Sequence, residues 1–197
     1  MIGKTKEQIK RLVKKYPFLL PRNVWTGKLE ENYDYSYYVG QFDYSNTSII
    51  SAWDRLFLLY CKNITPLLRS SNTLSQFCFS EIKEKWGKMC LYNFGATEEV
   101  QKLTQDYENY SGCICCRCGK KATRMTTDWV AYYCKKCIKQ LNKETSVKRV
   151  HKNLKYKVFE FDSRNEIKKY SLIKLDKEFQ KCIRMSSYDF FEYIMKD

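Results

Sequence analysis

The sequence predicts an α+β fold, and three observations predict it. Segments with apolar residues at helical spacing are interspersed with segments of strand-like alternation. Six of the ten cysteines crowd into positions 113–137, where paired spacing points to a small metal-built module. Aromatic residues make up 16% of the chain, against seven Gly and three Pro, which is the composition of a folded protein. At 197 residues the chain is long enough to bury a core.

Taken in order, "TKEQIKRLVKK" reads as a short amphipathic helix with Thr5 as cap and Ile9, Leu12 and Val13 as its apolar stripe. Pro17 ends it, and "YPFLLPRNVWTG" reads as an extended apolar loop. The stretch "ENYDYSYYVGQFDYS" gathers Tyr33, Tyr35, Tyr37, Tyr38 and Tyr44 among acids. It reads either as a loop packed by its own rings or as a partner-binding surface. "TSIISAWDRLFLLYC" places Ile49, Ile50, Trp53, Leu56, Phe57 and Tyr60 on one helical face, with Cys61 packed among them. "SQFCFSEIKEKWGKMCLYNFG" alternates as a β-hairpin turning near Gly87, with Cys78 and Cys90 on its strands as buried thiols or a second ligand pair. "ATEEVQKLTQDYENY" is a second helix, carrying Glu98 and Glu99 at its positive end and stopping at Gly112. Beyond the cysteines, "IKQLNKETSVKRVHKNLK" reads as a basic helix and a looser basic link. "YKVFEFDSRNEIKKYSLIKLD" then reads as two strands about an Asp-Ser-Arg-Asn turn, and "SSYDFFEYIMK" as a terminal helix capped by Ser186 or Ser187. The expected organisation is a 1–112 α+β core, a 113–146 metal module, and a 147–197 segment with the basic link, hairpin and helix.

The cysteines are best read from the unambiguous side. Cys134-Lys-Lys-Cys137 is one pair; its partner is either Cys113/Cys116 or Cys115/Cys118. Gly119 favours the second register, because a knuckle turns tightly after its second thiolate and glycine tolerates the positive φ of such a turn. The resulting C-x2-C-x15-C-x2-C fits one structural Zn2+ held by Cys115, Cys118, Cys134 and Cys137. Two short strands within "TRMTTDWVAYY" and a helix from about residue 135 would complete a zinc ribbon or treble-clef-like knuckle. Iron is the rival metal, but rubredoxin-like sites favour a glycine after both pairs, and Ile138 follows Cys137. Cys113 and Cys116 are then passengers, back-up ligands or a thiol pair.

Four thiolates leave a tetrahedral ion no open position, so the expected role of the metal is to hold shape. The chain has one histidine, His151, outside any His-Asn-His pattern, and it lacks HExxH, G-x-S-x-G and P-loop motifs. It is expected not to be an enzyme. No apolar run reaches the roughly 20 residues of a membrane span, and the basic N-terminus lacks the continuous apolar block of a signal peptide. A cytoplasmic location, with reduced thiols, is therefore expected.

Charge narrows the partner class. Residues 1–112 hold 15 basic and 12 acidic side chains and residues 158–197 hold eight of each, whereas residues 113–157 hold 13 basic ones against Asp128 and Glu144. Most of the net +14 thus lies on the cysteine cluster and the segment after it. Arg117, Lys120, Lys121, Arg124, Lys135, Lys136, Lys139, Lys148, Arg149, Lys152 and Lys155 are the candidate polyanion contacts, with Trp129 or Tyr132 to stack on bases. The bland alternative is a solvated face, with Lys135 and Lys136 offsetting the thiolate charge.

Three stretches resemble, in the same order, a family of small proteins encoded by phages and integrated elements of Gram-positive bacteria: "IKRLVKKYPFLLPRNVWTGKLEENYDYSY", "SEIKEKWGKMCLYNFG" and "CCRCGKKATRMTTDWVAYYCKKC". Together they cover roughly residues 5–140. The family's paired knuckles fall on Cys115, Cys118, Cys134 and Cys137, while Cys113, Cys116, the 40–75 insert and the tail after about 145 depart from it. The resemblance implies a host-cytoplasmic, non-enzymatic zinc protein that evades host defence, in kind like zinc-containing anti-CRISPR proteins. Its partner would be a bacterial defence nuclease such as a CRISPR effector, or that effector's guide RNA, met by the zinc module and by Tyr35, Tyr37 and Tyr38. A chain of +14 cannot mimic DNA. The competing expectation is direct DNA or RNA binding through residues 113–157.

Overall fold

The computed structural model describes residues 6–20, 26, 28, 51–126, 130–140, 147–149 and 166–196. Helix α1 (Lys6–Lys15) buries Leu12 and Val13 as its spacing requires. The Tyr16 amide still donates to the Leu12 carbonyl at 2.7 Å, and Pro17–Leu19 then form a 3-10 turn that buries Phe18 and Leu19. The stretch expected to be wholly extended therefore begins with a turn. Proline suits this place because its fixed φ fits a first helical position and its missing N–H is not needed there. Thr5 lies outside the described residues, as do Ile49, Ile50 and the whole 33–44 tyrosine stretch, including Tyr35, Tyr37 and Tyr38.

Helix α2 (Ser51–Ser70) is the central element, and it runs nine residues beyond Cys61. Trp53, Leu56, Phe57, Tyr60, Cys61, Ile64 and Leu68 are all buried along it. Strands β1 (Cys78–Lys85) and β2 (Lys88–Phe94) form the expected antiparallel hairpin, closed by Trp86 and Gly87. Cys78 lies opposite Phe94 and Cys90 opposite Lys83, so these two cysteines do not face each other as a ligand pair. Helix α3 (Glu98–Ser111) starts at Thr97, whose hydroxyl accepts from the Val100 amide at 3.3 Å. Its last turn covers the outer edge of β2. Ser111 Oγ accepts from the Met89 amide at 2.9 Å and Glu108 Oε1 from the Leu91 amide at 2.6 Å. Gly112 ends α3 as expected, with an ordinary right-handed φ of −76°.

A second, three-stranded sheet follows, in the order β4-β3-β5, built from β3 (Arg124–Thr126), β4 (Tyr132–Tyr133) and β5 (Val147–Arg149). Between β4 and β5 lies the short α4 (Lys135–Ile138). The two strands expected between the cysteine pairs are thus present. Of the basic helix expected from residue 138, Lys139 and Gln140 form a turn and residues 141–146 lie outside the described residues. The helix stops at Ile138, and Val147–Arg149 instead pair antiparallel with β3. A β-branched residue such as Val147 fits an added strand better than a helix interior.

The larger correction concerns the C-terminal hairpin. Its second expected strand is helix: α5 spans Glu166–Cys182, and α6 (Ser187–Met195) follows, capped by Ser186, which accepts from the Asp189 amide at 3.0 Å. The first expected strand lies outside the described residues. Leu172, Leu175, Phe179 and Cys182 recur at three- and four-residue spacing, and all four are buried. A strand would have sent them to opposite faces. Arg55 on α2 closes the end of α5 by donating from Nη1 to the carbonyls of Cys182 (2.6 Å) and Met185 (3.0 Å), with its guanidinium over the ring of Phe190 at 5.0 Å from the centroid. The Tyr16 hydroxyl donates to the Ile194 carbonyl, tying α1 to α6. One cluster of buried residues runs from Leu12 to Ile194 and includes Cys115, Cys116, Tyr133, Cys134 and Cys137, so residues 1–112, 113–146 and 147–197 all contribute to it. No helix among the described residues is long and apolar enough to cross a membrane.

Candidate metal centre

Two local structures deliver the cysteines. After α3 the chain doubles back: Ile114 bridges Lys121, and the Ala122 amide donates to the Cys113 carbonyl at 3.1 Å. At the tip the Cys115 amide donates to the Lys120 carbonyl (2.6 Å) and the Gly119 amide to the Cys115 carbonyl (2.8 Å). A loop this tight needs a left-handed residue, and Gly119 supplies it with φ of +71°. The second pair sits on α4. Cys134 is its N-cap, with Sγ accepting from the Cys137 amide at 3.3 Å, and Cys137 lies one turn on. The Cys116 amide donates to the Tyr132 carbonyl (3.0 Å) and the Thr123 amide to that of Tyr133 (2.8 Å), so the sheet clamps the two pairs together.

The sulfurs of Cys115, Cys118, Cys134 and Cys137 all lie within 4.8 Å of one another, a cluster that can hold a metal ion. Cys118 and Cys134 Sγ are 3.6 Å apart. Four sulfurs about 2.3 Å from a tetrahedral zinc would stand about 3.8 Å from each other, so the spacing suits that ion. Cys115, Cys134 and Cys137 are buried and Cys118 half-buried. Burial pushes the Cys115 thiol up to about 11, and burial together with hydrogen bonds to Cys118 and Cys134 raises Cys137 further. Burial also opposes ionisation of Cys134, but the Cys137 backbone and side chain and the Cys118 thiol outweigh it and its pKa is lowered. Sulfurs packed this closely carry negative charge together only around a cation, which is the donor chemistry of a metal centre.

The register inferred from Gly119 is the one whose sulfurs converge. Cys113 Sγ donates instead to the Asn109 carbonyl at 3.5 Å. Cys116 is buried against Tyr133, its thiol pushed up to about 12 by that burial. Neither belongs to the quartet. Cys113→Ala is accordingly expected to leave one metal per chain by elemental analysis; a protein purified without metal would show that the wrong pair had been assigned.

Helix α5 supports the first knuckle, and sequence reasoning missed this. Gln180 Nε2 donates to the Gly119 carbonyl at 3.1 Å. A Cβ at Gly119 would meet Ile183 Cγ2 at 2.9 Å and Phe179 Cε1 at 3.0 Å. Phe179 stacks edge-on with Tyr110 at 5.6 Å, and the Tyr110 hydroxyl donates to Asp176 Oδ1 at 2.7 Å. The available signal was the 172-175-179-182 spacing of apolar residues, which the alternation just before it masked.

Of the basic candidates, Lys120 and Lys121 are exposed on the first knuckle, and Lys135, Lys136 and Lys139 on and just after the second. Arg117 is half-buried, and so is Arg124, whose Nη1 donates to the Thr123 carbonyl at 2.8 Å. Lys148 and Arg149 lie on β5 opposite Met125 and Arg124, with side chains outside the described residues. Lys152, Lys155, His151 and Trp129 lie outside them altogether. No protein-family model matches this chain, and no curated protein or solved structure shows significant similarity to it.

Proposed function

We propose that the chain is a non-enzymatic zinc protein whose Cys115, Cys118, Cys134 and Cys137 hold one structural Zn2+ in a zinc-ribbon or treble-clef-like module, and whose exposed lysines on that module bind nucleic-acid phosphates. Cys134 and Cys137 come from the start of a helix and Cys115 and Cys118 from a glycine-ended loop, which is the arrangement such modules use. Four thiolates fill the coordination sphere, so the metal's chemistry is structural.

The observation that carries the binding reading is the distribution of lysines. Lys120 is two residues from Cys118 and Lys135 is next to Cys134, and those two sulfurs are 3.6 Å apart. Lys120, Lys121, Lys135, Lys136 and Lys139 are exposed, and none forms an ion pair with an acid among the described residues. A divalent ion with four thiolates leaves two negative charges. Two lysines would offset them, and the five exposed ones exceed that need. An unmatched positive cluster on a rigid support is the electrostatic footprint of polyanion binding.

Anisotropy titration of labelled single- and double-stranded DNA and RNA at about 50 and 200 mM salt tests this. Affinity is expected to fall steeply with salt, and changing the five lysines to glutamine to remove about 0.9 from the log–log slope on duplex for each lost contact. Weak, salt-insensitive binding would overturn the reading. Inhibition of a bacterial defence nuclease is the narrower proposal: the same lysines would engage the guide RNA of a CRISPR effector. Its test is stoichiometric loss of target cleavage that the five-lysine variant fails to produce.

A further inference from the structure

Trp86 is out of keeping with its surroundings in two independent ways. It is 72% exposed, the most exposed large apolar side chain among the described residues. It also holds φ of +54°, followed by Gly87 at +76°. Two positive φ values in a two-residue hairpin loop describe a turn that asparagine or aspartate before glycine makes easily. A bulky L-residue there is an outlier, strained in a conformation that asparagine tolerates. Neither folding nor solubility is served by an exposed, strained tryptophan, so the outlier points to function.

Its support is rigid. Glu84 Oε1 accepts from the Gly87 amide at 2.6 Å, fixing the turn. A Cβ on Gly87 would meet Tyr132 Cε2 at 2.6 Å and the Val130 carbonyl at 3.1 Å, so the hairpin tip lies hard against β4. That strand leads directly into Cys134, Lys135 and Lys136. Lys85 and Lys88 flank the loop. Lys85 is exposed, and Lys88 is half-buried, donating to Asn109 Oδ1 at 3.3 Å. Further along β2, Tyr92 (43% exposed) and Phe94 (54%) lie on the solvent face, with Lys83 Nζ 4.9 Å from the Tyr92 ring centroid and paired with Glu81 at 2.7 Å.

We infer that the β1–β2 hairpin is a base-stacking finger for single-stranded nucleic acid, with Trp86 as its principal platform. This rests on the phosphate-binding reading above. The lysines of the metal module would hold the backbone while Trp86, at the hairpin tip that rests on β4, takes an unpaired base on its face. Aromatic rings on a sheet surface flanked by cations are the common solution for unpaired bases, whereas a duplex keeps its bases stacked inside and gives such a ring nothing to hold.

The test compares Trp86→Ala, Trp86→Phe and Trp86→Asn with the zinc-loaded wild type on a short pyrimidine oligonucleotide and on duplex DNA. Trp86→Ala is expected to weaken single-strand binding about 5- to 100-fold, with duplex affinity and the salt slope unchanged, and Trp86→Phe to keep most of the affinity. Trp86→Asn is expected to lose the same binding yet raise Tm by about 2–4 °C, since it relieves the turn. Wild-type single-strand binding that Trp86→Ala leaves intact would overturn the stacking role and spare the phosphate-binding reading. A wild type that binds no nucleic acid at low salt would overturn both. A fall in Tm for Trp86→Asn would show that the ring is structural, and would also overturn the inference.

Discussion

Removal of the metal is expected to unfold much more than the segment between the cysteines. Judged from spacing alone, a chelator or Cys118→Ser should melt residues 113–140. In the folded chain Cys115, Cys116, Tyr133, Cys134 and Cys137 belong to the same buried cluster as Phe57, Tyr107 and Phe179. The knuckle is also held to α5 through Gln180 and the Gly119 carbonyl. A structural zinc contributes roughly 10–16 kcal/mol of apparent binding energy in small modules, whereas a whole domain is stable by only about 5–15 kcal/mol. The metal term is large enough to decide whether the shared core forms at all. Cys118 is the informative ligand to change because it is the least buried of the four, so serine removes a thiolate with little loss of packing. Thermal melting by circular dichroism should lose its cooperative transition, and elemental analysis should find less than one zinc per chain. An unchanged melt at full zinc content would sink the ligand assignment.

Gly119→Val is expected to be the most damaging change that touches no ligand. The left-handed φ of +71° costs a β-branched residue about 1–2 kcal/mol. Its Cβ would stand 2.9 Å from Ile183 Cγ2 and 3.0 Å from Phe179 Cε1, and overpacking of this kind adds about 1–3 kcal/mol. Denaturant melts should show a loss of about 2–5 kcal/mol, the sum of those two terms. The two causes separate in a double variant: Ile183→Ala beside Gly119→Ala should recover the share of the steric part due to Ile183 and leave the backbone part. A stable Gly119→Val protein would mean that α5 does not rest on the knuckle as described.

Gly119 also shows how much of the site was legible beforehand. The choice of Cys115/Cys118 over Cys113/Cys116 rested on one glycine and the turn it permits, and the four sulfurs of that register converge. That convergence was legible because a knuckle is local: cysteine spacing, a left-handed residue and the first turn of a helix are fixed within a few residues. The hairpin over Cys78–Phe94 and helix α3 were legible for the same reason, since an approximate alternation closed by a glycine turn and a helical stripe each declare their own element. The turn near Gly87 was legible too. That Trp86 would be both strained and exposed was not, because exposure depends on what packs against the hairpin.

Helix α5 marks the boundary between what sequence and tertiary structure each decided. By itself the sequence determined which four cysteines converge, the charge concentrated on residues 113–157, the central helix and the first hairpin. It could not decide residues 166–182, where apolar residues at positions 167, 170, 172, 173 and 175 satisfy a strand's period and a helix's about equally well. The tertiary structure decided it. Tyr110, the Gly119 loop and α2 present one apolar surface, and only a helix brings Leu172, Leu175, Phe179 and Cys182 to that surface together. Periodicity specifies an element when one period dominates; where two compete, the face available for burial chooses between them.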